Sequence, residues 1–246
     1  FAVPSKLGRM FEAGLLDVAL LPAIKYFEND NNRVIPDIAI AAKGKVESVN
    51  LFVKGNIKEI KEVALDTSSL TSRALMSVIL SEQYGLKPDI VDWENGMDIE
   101  DSNSDAVLLI GDNAMKVKSD QFKAIDLANE WFKLTNLPFV FAVWVTKCGT
   151  KLNGFDKILK DAKENGLKAV DEIADIESKR LGFSKEDCAR YLTKSILYDL
   201  GKSEIDGLEK FYYYSKKLGL INRKSSFNRT GNLEQESKNC IKFYTD

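Results

Sequence analysis

Short apolar runs alternate with helical patterns along roughly the first 145 residues, and this alternation admits few folds. The longest run, 137–145, is uncharged throughout, which is typical of a strand buried on both faces of a sheet. Further strands are predicted at 16–22, 35–41, 46–53, 60–65, 90–93 and 106–110. After Thr150 the apolar spacing is helical, at 155–165, 168–181, 185–200 and 204–218. The pattern predicts an α/β protein with a helical C-terminal third.

Capping residues indicate where the predicted helices begin and end. Pro4 begins the first helix and Gly14 ends it, and further helices are predicted at 71–84 and 126–134. In the C-terminal third we expect N-caps at Ser184 and Ser203. Stops are expected at Gly166, Gly182, Gly201 and Gly219. The chain is polar from 222 onward, so we expect a loosely attached tail.

The order of the predicted elements suggests two lobes, one inserted into the other. We assign 1–56 and 138–222 to a discontinuous first lobe, 57–137 to a second lobe, and 223–246 to a polar tail. Phe1-Ala2-Val3 has the pattern of a strand end and is followed at once by a helix pattern. The expectation is therefore that the first lobe lacks its first strand.

Composition excludes several classes of function. A formal net charge of −2 offers no broad basic surface for nucleic acid. No apolar run approaches the ~20 residues of a membrane-spanning helix. Three separated cysteines without a CxxC pair are typical of a reducing cytoplasm and give no metal-site spacing. The chain has no histidine, which excludes Ser-His-Asp triads, histidine-ligated zinc and imidazole acid–base chemistry.

Five hydroxyl side chains fill most of the six positions 67–72, between a predicted strand and a predicted helix: Thr67, Ser68, Ser69, Thr71 and Ser72. Free N–H groups at a helix N-terminus attract anions, and hydroxyls add neutral donors. The cluster therefore fits a pocket for a carboxylate or a phosphate. Ordinary helix capping by Ser69 or Thr71 explains the same pattern. A P-loop is not expected, because no Gly-Lys-Ser/Thr follows.

Three other segments hold candidate binding residues. Ser48 follows a turn at Gly44, and it either faces a cleft or is a buried hydroxyl of an ordinary hairpin. Asp112 and Asn113 follow a predicted buried strand, at the end where ligands gather in open α/β folds. Asp112 would alternatively cap the next helix. The run 137–145 carries three aromatic residues that are either core or the wall of a pocket: Phe139, Phe141 and Trp144.

Five segments match one known family in order and spacing, and together they span almost all of 4–145. They are PSKLGRMFEAGLLDVALLPAIKYF (4–27), IPDIAIAAKGKVESVNLF (35–52), VALDTSSLTSRAL (63–75), DAVLLIGDNAM (105–115) and DLANEWFKLTNLPFVFAVWV (126–145). The GDxAM and LPFVFAVW pieces are the specific ones. With these segments the chain resembles the MqnA family, the chorismate dehydratases of menaquinone biosynthesis.

The resemblance implies a two-lobed periplasmic-binding-protein-like (type II) fold with a ligand cleft, but no transport. It implies loss of water from chorismate to give 3-[(1-carboxyvinyl)oxy]benzoate, in the cytoplasmic futalosine pathway and without a cofactor. Chorismate is the expected partner; no nucleic acid or membrane is expected, and the oligomeric state is left open. The family's active-site Asn belongs to a segment before Phe1, so no catalytic residue is assigned, and the family pattern has a basic residue about where Leu70 stands.

The resemblance and the candidate residues together suggest how chorismate is held. Ser48 and the 68–72 loop are expected to bind its two carboxylates, and Asp112 with Asn113 to orient a hydroxyl or the loop. The aromatic residues of 137–145 are expected to form the wall that faces the ring. A carboxylate of the substrate itself is the expected base, because the chain has no histidine.

Other functions fit part of the same pattern. The sister enzyme that cleaves cyclic de-hypoxanthine futalosine would resemble this fold, but a histidine is expected in its mechanism. A non-catalytic solute-binding protein for a small carboxylate is the alternative from another class. A third alternative is a chorismate-binding remnant without activity.

Overall fold

A computed structural model describes residues 4–65, 70–93, 97–221, 233–238 and 240–245. Its strands are β1 Val18–Pro22, β2 Asn32–Ala42, β3 Val49–Lys54, β4 Glu62–Leu65, β5 Asp89–Asp92, β6 Ala106–Ile110, β7 Phe122–Asp126 and β8 Phe139–Lys147. Its helices are α1 Pro4–Glu12, α2 Ala23–Tyr26, α3 Leu70–Tyr84, α4 Gly111–Lys116, α5 Leu127–Thr135, α6 Phe155–Lys168, α7 Val170–Leu181, α8 Lys185–Arg190, α9 Lys202–Lys217 and α10 Leu233–Ser237. None of the helices in these ranges is both long and apolar enough to cross a lipid bilayer.

The described strands form two sheets, which confirms the predicted α/β class. In the first sheet β8 lies between β1 and β2 and is antiparallel to both. The second sheet has the order β5-β4-β6-β3-β7, in which β4 is parallel to β5 and β6. β3 is antiparallel to both of its neighbours, β6 and β7. The chain passes from the first sheet to the second through 43–48 and returns through 136–138.

β8 is buried because it is the middle strand of the first sheet and has helices packed against it. Phe139 is fully buried and lies edge-on to Trp131 of α5 and to Phe211 of α9, at ring-centroid distances of 5.4 and 4.9 Å. The indole of Trp131 also donates a hydrogen bond to the Pro138 carbonyl at 3.1 Å. The predicted strand 137–145 is therefore confirmed, although it begins at Phe139.

The predicted helix at 185–200 is wrong in its second half. α8 ends at Arg190 and is followed by a π-helical turn, Tyr191–Ser195. Beyond it the chain leaves the helix, and Leu197 exchanges two backbone hydrogen bonds of 2.8 and 2.9 Å with Ala41 of β2. The backbone groups at the edge of β2 need partners, and 197 supplies them. Tertiary pairing has overridden the helical spacing of the sequence.

The predicted helix ends are confirmed at some positions and wrong at others. Ser184 caps α8 by accepting a hydrogen bond from the Asp187 amide, and Gly182 ends α7 in the left-handed conformation. The N-cap of α9 is Gly201, not Ser203, and the Glu204 carboxylate accepts from the Gly201 amide at 3.0 Å. Gly166 lies inside α6 and does not end it.

One strand was missed, and another begins later than predicted. β7 is short and half-exposed, so its sequence carries little apolar signal; it forms the edge of the second sheet beside β3. β3 begins at Val49 rather than at residue 46. Because β3 pairs within the second sheet, the chain crosses from the first sheet to the second between 43 and 48, which is earlier than the predicted lobe boundary at 56. The division into lobes itself stays a prediction.

The segment 240–245 is attached to the first sheet, so the expected loose tail is wrong there. The Val34 amide donates to the Lys242 carbonyl, and the Tyr244 amide donates to the Val34 carbonyl, each at 2.8 Å. The Lys242 amide donates to the phenol oxygen of Tyr26 at 2.8 Å. Ile241 is only 7% exposed and joins the main core. Main-chain pairing and one buried side chain hold this segment in place.

The contact between α9 and the chain before β8 gives a first prediction. A Cβ at Gly207 would lie 2.1 Å from the Pro138 carbonyl oxygen, whereas one at Gly166 of α6 meets nothing within 4 Å. Gly207→Ala should lower the free energy of unfolding by about 1–3 kcal/mol through this clash. Gly166→Ala should raise it by up to about 1 kcal/mol, because alanine favours the helix. Urea unfolding of the two variants measures both; equal effects would contradict the close packing.

The attachment of 240–245 gives a second prediction. Ile241→Ala removes a buried side chain and should lower the free energy of unfolding by about 2–4 kcal/mol. Thr245→Ala, at an exposed position of the same segment, should change it by less than about 0.5 kcal/mol. Thermal or urea unfolding compares the variants. If Ile241→Ala is as stable as Thr245→Ala, the segment does not pack as described.

Candidate active site

The predicted binding segments come together at one end of the second sheet, which we call the site edge, where strands begin or stop. β4 and β6 are parallel and end at this edge, and β3, which is antiparallel to β6, begins there. Ser48 immediately precedes β3, Gly111 immediately follows β6, and the hydroxyl cluster follows β4. The Gly111 amide donates to the Ser48 carbonyl at 2.7 Å. Strand direction thus gathers three segments that are far apart in the sequence.

The Ser48 side chain is buried and bonded to a residue that the sequence did not single out. Its relative exposure is 4%, and its hydroxyl oxygen accepts a hydrogen bond of 2.8 Å from the phenol of Tyr191. Burial raises the pKa of Tyr191; the contact with Ser48 opposes this rise, and the negative charges of Asp112 and Glu47 add to it. The phenol therefore stays protonated at neutral pH and acts as a donor to Ser48.

The residues just before Ser48 are held by the half-buried carboxylate of Asp126. The amides of Val46 and Glu47 donate to one oxygen of Asp126 at 2.9 and 2.7 Å. The other oxygen accepts from the Asn129 amide at 3.0 Å and caps α5. Burial raises the pKa of Asp126, and the amide hydrogen bonds oppose that rise. The side chain that starts α5 thus also fixes the crossing between the sheets.

A second contact ties this crossing to α8. Glu47 has a left-handed backbone, with φ of 67°, and its carbonyl accepts from the Asn50 amide group at 2.7 Å. Its carboxylate pairs with Arg190 at 2.5 Å, and Arg190 also contacts Asp187 at 3.0 Å. Glu47 and Ser48 are therefore bound by the consecutive residues Arg190 and Tyr191. Nothing in the local sequence signals this pairing, because 143 residues separate the partners.

The structure describes part of the hydroxyl cluster. Ser68 and Ser69 lie outside the described residues, so the choice between capping and an anion pocket stays open for them. Thr71 and Ser72 are in the first turn of α3 and are buried. The Thr71 hydroxyl oxygen accepts a long hydrogen bond of 3.5 Å from the Ile24 amide of α2. This contact joins α3, the first helix of the second sheet, to the helix that follows β1.

Asp112 and Asn113 lie exposed in the first turn of α4, beside Gly111. The residue at the N-cap of α4 is Ile110, and it makes no side-chain cap. The alternative in which Asp112 caps the helix is therefore wrong. The charge of Asp112 acts on the phenol of Tyr191, which places it near the Ser48–Tyr191 pair.

The three aromatic residues of β8 do not lie on one surface. Phe139 is core, as described above, and its position does not suit a wall that faces a ligand. Phe141 is half-buried on the same face, with its ring 4.7 Å from that of Phe139. Trp144 faces the other side of the sheet, where it packs with a separate cluster. Successive side chains of a strand point to opposite faces of the sheet, so Phe139 and Phe141 lie on one face and Trp144 lies on the other.

Trp144 lines an apolar cavity of about 330 Å³ between the first sheet and the C-terminal helices. Its wall includes Leu20, Ile40, Val170, Leu192 and Tyr198. Leu192 is the neighbour of Tyr191 in sequence, and the phenols of Tyr191 and Tyr198 interact electrostatically. Ser48 and Tyr191 themselves are not among the residues that line this cavity. Its volume lies at the lower end of the range for small-molecule sites.

A larger groove of about 720 Å³ follows the outer edge of β7. It contains charges of both signs, among them the Glu47–Arg190 and Glu130–Lys133 ion pairs. We place the candidate site at the end of the second sheet where Ser48, Gly111 and the start of α3 are found, because neutral hydrogen-bond donors are gathered there. Within the described ranges no three or more cysteine, aspartate or glutamate side chains are grouped as metal ligands would be.

Comparison with known proteins shows which family the chain belongs to. A family model described as menaquinone biosynthesis matches residues 1–217. The chain belongs to the menaquinone-biosynthesis family. A curated relative, the chorismate dehydratase of Thermus thermophilus, is 33% identical and is covered to 86%, with 89% of this chain aligned. The predicted resemblance to the MqnA family of chorismate dehydratases is confirmed.

Solved structures confirm the fold expected of this menaquinone-biosynthesis family member. Protein AF1704 from Archaeoglobus fulgidus aligns with a TM-score of 0.70 at 18% identity, over 89% of this chain and 86% of its own. The periplasmic aliphatic sulphonate binding protein SsuA from Escherichia coli aligns with a TM-score of 0.59 at 12% identity, over 91% and 82%. At these identities the likeness concerns the fold alone. The periplasmic-binding-protein-like architecture is the predicted one.

The half-buried carboxylate of Asp126 gives a prediction for the crossing. Asp126→Asn replaces one acceptor oxygen with an NH₂ group, so either the Val46 and Glu47 amides or the Asn129 amide lose their partner. The free energy of unfolding should fall by about 1–3 kcal/mol. Asp120→Asn, an exposed carboxylate, should change it by less than about 0.5 kcal/mol. Urea unfolding compares the two, and equal stability would argue against the clamp.

Proposed function

We propose that this protein is a chorismate dehydratase, which removes water from chorismate to form 3-[(1-carboxyvinyl)oxy]benzoate in menaquinone biosynthesis. Membership of the family and the relative from Thermus thermophilus support this assignment. The observation that carries it within the structure is the convergence of neutral hydrogen-bond donors at one end of the second sheet. Ser48, held by Tyr191, lies at the start of β3 beside the end of β6, and this arrangement suits a ligand that bears carboxylates.

The donors suit carboxylate binding because they are held in place before the ligand arrives. Ser48 is fixed through its carbonyl by Gly111 and through its hydroxyl by Tyr191. The first turn of α3 adds the hydroxyls of Thr71 and Ser72 and the positive end of a helix of 15 residues. We assign one carboxylate of chorismate to Ser48 and the other to the start of α3. Ser68 and Ser69 remain part of this assignment, although they lie outside the described residues.

The reaction asks little of the protein in acid–base chemistry. The ring C–H bond breaks, its electron pair forms a ring double bond, and the C–O bond to the ring hydroxyl breaks. The proton and the hydroxide leave as water, and the ring becomes aromatic. A carboxylate of the substrate accepts the proton, and Asp112 with Asn113 orients the departing hydroxyl. Rigid positioning of reacting groups can contribute roughly 7–11 kcal/mol in favourable cases.

The finer assignments are part of the same proposal. The enzyme acts as a carbon–oxygen lyase without a cofactor, because aromatisation supplies the driving force. It belongs to the futalosine pathway, and its three cysteines, which form no disulfide with one another, suit the reducing cytoplasm. The two sheets form the cores of two lobes, joined by 43–48 and 136–138. Closure of such lobes on a ligand excludes water from the site.

Turnover of chorismate tests the proposal directly. The protein is incubated with chorismate, and formation of the aromatic product is followed by chromatography and ultraviolet absorbance. Ser72→Ala and Thr71→Val should each raise KM or lower kcat/KM by about 10–100-fold, because each loses a donor to a charged group. Ser77→Ala, two turns further along α3, removes a hydroxyl that bonds only to the Arg73 carbonyl and should leave the kinetics unchanged.

Different outcomes separate the candidate functions. Product formation that depends on Ser72 and Thr71 supports the dehydratase and its anion site together. Binding of chorismate without product, measured by calorimetry, would favour a binding protein for a small carboxylate. Product formation with wild-type kinetics in both variants would support the dehydratase reaction and refute the role of α3 in binding.

A further inference from the structure

We propose that Tyr191 is a positioning residue of the reaction, which acts through Ser48 by orienting the serine hydroxyl proton toward a substrate carboxylate. This inference rests on the proposed function, because it assigns a carboxylate to Ser48. It extends the site to a residue of the C-terminal third that no sequence pattern singled out. Tyr191 itself does not need to touch the substrate.

The hydrogen-bond inventory of the pair gives the direction of the effect. A serine hydroxyl has one proton and two lone pairs. The phenol of Tyr191 donates to the Ser48 oxygen at 2.8 Å and so occupies one lone pair. Ser48 must then direct its own proton elsewhere. Among the described residues, no acceptor takes that proton.

The surroundings of Ser48 leave the site edge as the direction for this proton. The serine side chain is 96% shielded, and its backbone carbonyl already accepts from Gly111. The structure places the end of β6 on one side of Ser48 and the start of α3 at the same sheet edge. A carboxylate bound at this edge is the acceptor that completes the chain from Tyr191 to Ser48 to ligand. Charge on that acceptor strengthens both hydrogen bonds.

The pair is held rigidly, as a positioning role requires. Arg190 and Tyr191 bind Glu47 and Ser48 through two contacts, one ionic and one between hydroxyls. On one side, Asp126 fixes the amides of Val46 and Glu47. On the other side, Tyr191 begins a π-helical turn that ends α8, in which the Ile196 amide bonds to the Tyr191 carbonyl at 3.2 Å. Such turns are frequent at functional sites.

Tyr191 stays a donor under the conditions in which the enzyme works. Burial raises the pKa of its phenol, and the charges of Asp112 and Glu47 act in the same direction. A phenolate would instead accept the Ser48 proton and withdraw it from the ligand. The neutral phenol therefore donates its proton to Ser48, and Ser48 donates its own proton toward the ligand.

A double-mutant cycle tests the inference. Tyr191→Phe removes only the hydroxyl and should lower kcat/KM for chorismate by about tenfold, with a larger loss for Ser48→Ala. In the Ser48→Ala background, Tyr191→Phe should have almost no further effect, because its role passes through Ser48. Thermal unfolding of each variant checks that the loss of activity exceeds any loss of folded protein.

Tyr84→Phe is the matched control. It makes the same chemical change on α3, where the Tyr84 hydroxyl contacts Glu130 at 3.4 Å, away from Ser48. It should leave kcat/KM unchanged in both the wild-type and the Ser48→Ala background. Independent losses for Tyr191→Phe and Ser48→Ala, whose factors multiply in the double variant, would overturn the inference. Wild-type kinetics for Tyr191→Phe would overturn it as well.

A binding measurement distinguishes this inference from the proposed function. The same cycle is repeated on the Kd for chorismate and for 3-hydroxybenzoate by calorimetry. Coupling in Kd without turnover would support the Tyr191–Ser48 pair as a carboxylate site and refute the dehydratase. Turnover without coupling would retain the dehydratase and refute the role of Tyr191. Absence of both turnover and carboxylate binding would refute both.

Discussion

The carboxylate of Asp126 connects both crossings between the two sheets. It binds the amides of Val46 and Glu47 on the outward crossing and caps α5. α5 in turn carries Trp131, whose indole bonds to the Pro138 carbonyl on the return crossing and packs on Phe139. The position of Ser48 therefore depends on a chain of contacts that begins at one half-buried acid. Both crossings share this support.

The chain has no histidine, and two of the carboxylates near Ser48 serve to hold the backbone in place. Glu47 pairs with Arg190, and Asp126 accepts backbone amides, so both hold the chain in place. In the proposed site, the groups that meet the ligand are chiefly neutral donors, namely Ser48 and the first turn of α3. Neutral donors bind a carboxylate without neutralising it, so the substrate can keep its charge for proton transfer. A fixed polar site of this kind contributes most where water is excluded.

The sequence predicted those parts of the fold that local chemistry determines. The run at 137–145 gave β8, and Gly182 and Ser184 marked the end of α7 and the start of α8. β7 could not be found, because an exposed edge strand has few apolar residues. In the candidate site, Asp112 and Asn113 were singled out because they follow a predicted strand, and Ser48 because it follows the turn at Gly44. Tyr191 was missed because its partner lies 143 residues away, and Phe139 could not be told from Trp144 without knowing which face is open.

The C-terminal third completes the site and also stabilises the first sheet, and it does so through different kinds of contact. Tyr191 bonds to Ser48, whereas Leu192 and Tyr198 line the apolar cavity, and all three lie within the family match, which ends at 217. The segment 240–245 lies beyond that match and is held mainly by backbone pairing with Val34. Backbone pairing tolerates many sequences, whereas a hydroxyl placed against Ser48 does not. The strictest sequence requirement in this third of the chain therefore falls on the turn that follows α8, and not on the segment that covers β2.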